Sequence, residues 1–167
     1  MKKELNANSI ESYDTGKKNL YEYYGTPERL LEMLRPENQA YCLQNELKCY
    51  RGNSPSILTV KCFFGYDVID HWIRLQLDDL NKTSTTKQMS DIQINYLTKH
   101  MIDNWTFVKL SELMLFLAKY KRGDFFADPK HVTPLEFLAE LCFFAKKKQS
   151  EIDRLSRENK AQKTASN

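Results

Sequence analysis

The 167-residue chain has the length of one domain, and a domain of this size buries roughly two-thirds of the surface its unfolded chain exposes. Hydrophobic residues at 41% and charged residues at 28% describe an ordinary soluble globular protein, while five Gly and five Pro are too few for the many tight turns of an all-β fold. The formal charge of +3 is too small to imply nucleic acid by itself.

Residues 1–25 are polar and rich in Asn, Ser and Lys, apart from Tyr21, Tyr23 and Tyr24, and read as a loose arm whose end docks through those tyrosines. The opening MKKELNANSIESYD has a basic start but no apolar run behind it, unlike a signal peptide. No stretch approaches the ~18 apolar residues of a membrane span. A cytoplasmic location is therefore expected.

A single helical domain is expected over 26–158. Thr26 is placed to cap a first helix with Pro27 at its first position, and Leu30, Leu31 and Leu34 form the apolar stripe. Pro36 ends that helix and opens a second, which runs toward Tyr50 until RGNSP interrupts it. The segment 55–64 is ambiguous. Leu58, Val60, Cys62 and Phe64 alternate with Thr59, Lys61 and Phe63 as in a strand, yet Ser54-Pro55 and Gly65 look like helix punctuation. Helix is the favoured reading, because a lone strand has no partner nearby.

In YDVIDHWIRLQLDDL, Ile69, Trp72, Ile73 and Leu80 share one helical face, and NKTSTTK follows as a polar loop. Ser90 and Gln93 have the spacing of a capping box, leading into Ile94, Leu97, Met101 and Trp105. Leu113, Phe116, Leu117 and Tyr120 repeat the pattern. Gly123 then suits a left-handed helix end, and Lys119, Lys121 and Arg122 complement the negative pole of the helix. Thr133, Pro134 and Glu136 announce a last helix reaching about Asn159, with Leu135, Leu138, Cys142, Ala145 and Ile152 as its apolar edge. Residues 159–167 are expected as a charged, frayed tail. These elements predict an all-α fold, a compact bundle of about five to seven helices with short loops.

No residue pattern points to catalysis. The chain has no G-x-S-x-G, no H-E-x-x-H and no Gly-rich phosphate loop, so no enzyme activity and no cofactor are expected. Cys42, Cys49, Cys62 and Cys142 lack metal-site spacing and read as buried free thiols, and no metal is expected. His71, His100 and His131 have no nucleophile paired with them locally. Asp78 and Asp79 point about 100° apart on a helix, a poor arrangement for one metal ion. Glu136 and Glu140 share a face in a first turn, where they suit the helix dipole.

Ser90–Asn104, a short turn and Ser111–Arg122 have about the spacing of a helix-turn-helix. The half of the second helix that would read bases is SELMLFLA, however, which offers phosphate no cation. Basic residues gather further on. From Lys119 to Lys163 there are 11 Lys/Arg against 7 Asp/Glu, an excess of +4 that leaves about −1 for the remainder. Lys119, Lys121, Arg122, Lys130, Lys146, Lys147 and Lys148 would form one patch if the last two helices pack antiparallel. Such a patch would contact a partner or bind nucleic acid weakly and non-specifically.

From Ser54 to Glu158, the succession SPSILTVKCFFGYDVIDHWIRLQLDDLN, KQMSDIQINYLTKHMIDNW and KLSELMLFLAKYKRGDFF resembles a family of uncharacterised helical proteins from Bacteroidetes phages and integrated mobile elements. The positions that carry the resemblance are Met89, Ser90, Gln93, Ile94, Leu110, Ser111, Glu112, Leu113, Leu115, Phe116, Lys121, Gly123 and Phe125. The chain departs from that pattern between Asp124 and Asp128, which lack its second Gly, and in ADPKHVTP, which replaces an aromatic and Gly-rich link. The resemblance implies an accessory of phage or mobile-element DNA replication, similar to a helicase loader, whose partner is a replicative helicase or another replication factor. Two alternatives stand beside it: a small helix-turn-helix regulator, and a phage inhibitor of a host protein that binds through the N-terminal tyrosines.

Overall fold

The computed structural model describes residues 20–165. The loose arm expected at the N-terminus lies outside the described residues as far as residue 19. From 20 to 24 the chain is helical (α1), with Leu20 and Tyr24 buried in the core. There follow α2 (Pro27–Met33), a 3₁₀ turn (Pro36–Asn38), α3 (Gln39–Gln44), α4 (Glu46–Arg51), α5 (Ile57–Phe63), α6 (Tyr66–Thr83), α7 (Asp91–Asn104), α8 (Leu110–Arg122) and α9 (Pro134–Ala165). The fold is all-α, with two isolated bridges and no strand among the described residues.

The helices outnumber the expected five to seven mainly because the segment from Pro36 toward Tyr50 is divided. Asn45, at φ −131°, interrupts it between α3 and α4. Asn suits the break, since its amide donates to the Tyr41 carbonyl at 3.0 Å and satisfies a group the helix leaves open.

The ambiguous segment is helix from Ile57. Ser56 caps it through the Thr59 N–H, and the buried side chains are Ile57 and Val60, three apart, while Leu58 is half exposed. The strand-like signal survives only at its entrance. Ser56 bridges Lys109 antiparallel, and the Ile57 and Leu58 N–H groups donate to the Val108 and Thr106 carbonyls at 3.0 and 2.9 Å. The start of α8 is satisfied from the same loop: Leu110 N–H donates to the Pro55 carbonyl at 2.9 Å and Ser111 N–H to Ser54 Oγ at 3.0 Å. Two helix N-termini thus dispose of their open donors by facing each other.

α6 buries the expected face, with Ile69, Trp72, Ile73 and Leu80 fully enclosed. It also completes α2, which has no glycine to close its carboxyl end. Trp72 Nε1 and Gln76 Nε2 both donate to the Leu34 carbonyl, at 2.8 and 2.9 Å, and Gln39 donates to Gln76 Oε1 at 2.7 Å. Gln76 is thus engaged through both its amide oxygen and its amide nitrogen, while Gln39 uses its nitrogen and leaves Oε1 buried without a partner among the described residues. The helix runs on through Thr83, so Asn81–Thr83 form its last turn and the loop begins at Ser84. That loop is pinned to the one before α9: Val132 N–H donates to the Lys87 carbonyl, and Thr86 N–H and Ser84 Oγ donate to that of Lys130.

α7 carries the full Ser90–Gln93 capping box. It packs chiefly on α6, whereas α8 sits at the centre against α3, α4 and α6. From Leu110 to Ala118 every α8 residue except Ser111 is buried. Gly123 (φ 82°, ψ 28°) ends α8 as expected, with its own N–H on the Tyr120 carbonyl and that of Asp124 on the Lys119 carbonyl. This is the paired bonding of a Schellman end.

α9 returns antiparallel to α8, as Lys148 opposite Glu112 and Phe144 opposite Phe116 show. Its buried stripe differs from the expected one. Phe137, Leu141, Phe144 and Ile152 face inward, while Leu135 is 80% exposed and Cys142 half-buried. Apolar residues encircle the first turns of α9, so spacing alone admits more than one face, and the aromatic stripe wins because Phe116 and Tyr120 meet it. The helix continues past Asn159 to Ala165, so the described part of the tail is helical.

Candidate binding surface

The seven basic residues expected to make one patch meet different fates. Three of the four around the end of α8 and the following loop are engaged by carboxylates. Lys119 pairs with Glu46 of α4 at 2.7 Å, and Lys121 with Asp79 of α6 at 2.6 Å. Arg122 grips Asp124, just past Gly123, and this hydrogen-bonded pairing holds the Asp124 carboxyl below its usual value. Lys148 meets Glu112 at 2.6 Å, and Glu112 is only 3% exposed. Four of the seven cations therefore join helices or close turns. Their partners lie on α4, α6, α8 and the turn after it, so these four charges are offset locally.

What remains is a smaller surface at the amino-terminal half of α9. Lys146 and Lys147 are exposed there, and Lys130 is exposed on the preceding loop, its carbonyl held by the 84–87 backbone. Beside them stands an aromatic edge. Phe126 is 91% exposed and Phe143 40%, with ring centroids 6.1 Å apart in edge-to-face geometry. Lys147 Nζ lies 5.3 Å from the Phe143 centroid, a cation over a ring face. A groove of about 320 Å³ opens next to this ridge, floored by Phe125 and Phe144 and walled by Lys119, Lys147 and Glu151.

The chain positions this ridge for clear reasons. Gly123 turns the backbone, and Phe125 then drops into the core against Phe116 and Phe144. Its neighbour Phe126 must consequently point away. Glu140, buried on α9, accepts from the Ala127 N–H at 2.9 Å and fixes the loop from below. Thr133 caps α9, its hydroxyl accepting from the Glu136 N–H at 3.3 Å and donating to Glu136 Oε2 at 2.7 Å, so the Glu136–Glu140 pair serves the helix start and the loop. Burial, together with the Glu136, Glu140 and Asp128 carboxylates, pushes the Tyr120 hydroxyl up to about 12.

Chemically, the ridge offers two apolar ring faces and cations with no ion pair among the described residues, which suits an anionic partner with aromatic or apolar groups. It offers no acid–base pair. Among the described residues no group of three or more His, Cys, Asp or Glu converges on one point, and no helix is long and apolar enough to cross a membrane. His100 stacks on Tyr96 at 6.0 Å, on the outer face of α7. The thiols also divide: Cys42 and Cys49 are buried, whereas Cys62 is exposed, against the expectation that all four would be buried. Cys62 lies on the outward side of α5, which the apolar run FF behind it conceals in the sequence.

Sequence reasoning missed the Phe126–Phe143 edge. Its signal was the doublet Phe125-Phe126 directly after a helix-ending glycine, a place where only one of two adjacent rings can turn inward. Compared with protein-family models, with curated proteins and with solved structures, the chain matches none.

Proposed function

We propose that the protein is a non-enzymatic binding or adaptor protein, an accessory of phage or mobile-element DNA replication, whose contact surface is the ridge of Phe126, Phe143, Lys146 and Lys147. The observation that carries this reading is an aromatic edge left in solvent, Phe126 being 91% exposed, beside lysines that form no ion pair among the described residues. Large exposed apolar groups flanked by charge are what interfaces are made of. The replication setting rests on the resemblance of Ser54–Glu158.

Quantitative pull-down from the native host tests it, using the wild type and a Phe126→Ala/Lys146→Glu/Lys147→Glu variant. A replication factor should be enriched by the wild type and lost with the variant. Recovery of no replication protein overturns the reading. Fluorescence anisotropy with a labelled single-stranded oligonucleotide separates direct nucleic-acid contact, which should be weak and fall steeply between ~50 and ~200 mM salt.

The alternative of a helix-turn-helix regulator has less support. The first half of α8, which would have to enter a groove, lies packed inside the bundle. A gel shift that survives ~200 mM salt and depends on sequence would restore it. The inhibitor alternative draws on exposed Tyr23 and Tyr41, at 62% and 59%, rimming an apolar groove. Partner capture that persists after Tyr23→Ala and Tyr41→Ala would count against it.

A further inference from the structure

The groove rimmed by Tyr23 and Tyr41 has a volume of about 440 Å³, and both Cys42 and Cys49 lie in its wall. The two thiols belong to different helices, α3 and α4, and are brought together by the break at Asn45. In an unbroken helix, residues seven apart stand two turns from each other, about 10 Å along the axis, too far for their sulfurs to meet. Here Cys49 Sγ donates to the Cys42 carbonyl at 3.8 Å, so the two residues stand side by side. We propose that Cys42 and Cys49 form a redox-active dithiol, oxidised to an intramolecular disulfide by a peroxide entering through this groove.

The pair is chemically unequal, as such a site requires. The neighbouring Cys49 thiol holds the Cys42 thiol below its ordinary value, while the Cys42 thiol, burial and the Glu46 and Glu112 carboxylates push Cys49 up. Because Cys49 donates its S–H to the Cys42 carbonyl, it is held as a thiol, and Cys42 is the attacking sulfur and Cys49 the resolving one. The Cys42 thiolate attacks one peroxide oxygen, the O–O bond breaks, and the departing hydroxide takes up the Cys42 proton as water, leaving a sulfenic acid. Cys49 sulfur then attacks the Cys42 sulfur, the S–O bond breaks, and hydroxide leaves with the Cys49 proton. Two thiols lose two electrons in all, and one hydrogen peroxide becomes two waters. Both thiols are nearly covered, at 5% and 4% exposure, so a small oxidant reaches them where a bulky disulfide would not.

Peptide mapping tests this on the folded full-length chain. Trypsin cuts after Lys48, so a Cys42–Cys49 disulfide would join two separate peptides, Leu30–Lys48 and Cys49–Arg51. After brief exposure to hydrogen peroxide and alkylation, that joined pair should appear and vanish on reduction. Cys49→Ser should abolish it and leave a dimedone-reactive sulfenic acid at Cys42, whereas Cys42→Ser should yield neither product. Exposed Cys62 is the internal reference. Oxidation at Cys62 while both target peptides remain alkylated as free thiols overturns the proposal, as does a joined pair that forms only in denaturant.

Discussion

The two halves of α9 are one continuous helix held by different forces. From Pro134 to Lys148 it is fixed by burial: Phe137, Leu141 and Phe144 lock into a cluster with Phe116, Tyr120 and Phe125. From Gln149 onward only Ile152 and Leu155 still touch the core. That half is sustained by its own surface, with Arg154 bridging Glu151 and Glu158 and Gln149 reaching Asp153. Such i,i+3 and i,i+4 pairs are worth about 0.2–0.5 kcal/mol each, whereas one buried aromatic is worth about 3–5 kcal/mol. Helical continuity therefore says nothing about how firmly each turn is anchored. The join between the two regimes is Lys148, whose cation neutralises buried Glu112.

The strongest way to break this contrast is Phe116→Ala. Its ring is fully enclosed and meets four other rings, so urea titration should show a loss of about 3–5 kcal/mol. A loss below ~1 kcal/mol would mean that the cluster does not anchor α9. Next comes Lys148→Met, which strands the Glu112 charge. Stranding a fully buried charge costs about 3–5 kcal/mol, but Lys148 is 37% exposed, so the expected loss is nearer ~2 kcal/mol. Adding Glu112→Gln should recover part of it, and no recovery would refute the pairing as the cause. Gly123→Ala should cost roughly 1–2 kcal/mol through its left-handed φ of 82°, because the added carbon would meet Pro129 Cγ at 3.8 Å, an ordinary van der Waals contact and not a clash. Arg154→Ala should be the mildest change, within about 0.5 kcal/mol globally. Amide exchange should nevertheless quicken across 149–165 while Pro134–Lys148 stays protected, and uniform exchange along α9 would erase the distinction between its halves.

Local signals were legible, tertiary ones were not. Caps at Thr26 and Ser90, and the glycine end at Gly123, act within three or four residues and are written side by side in the chain. The inward face of α6 follows from spacing because its polar residues leave one choice, whereas α8 is buried nearly all round as far as Ala118. α9 misled because its first turns are apolar all round, so the inward face was chosen by what it met. The basic end of α8 misled for a related reason. Lys119 finds Glu46 and Lys121 finds Asp79 across 73 and 42 positions, and neither partner is implied by any nearby pattern. A cluster of like charges in sequence was offset by opposite charges from elsewhere in the chain. The exposed ridge was what those pairings left over.

The bridge between Ser56 and Lys109 has a kinetic consequence. Neither α5 nor α8 can satisfy its first donors until the other arrives, so both helix starts wait on closure of a loop of more than 50 residues. Closing such a loop carries a chain-entropy penalty that local helix formation does not relieve. The rate of folding should therefore be set at this seam rather than at the aromatic cluster. Ser54→Ala, which removes the acceptor for Ser111 N–H, should slow the refolding arm of a stopped-flow chevron more than it speeds the unfolding arm. The opposite partition would place the seam after the rate-limiting step, and the protein would then be assembled first around its rings and zipped last.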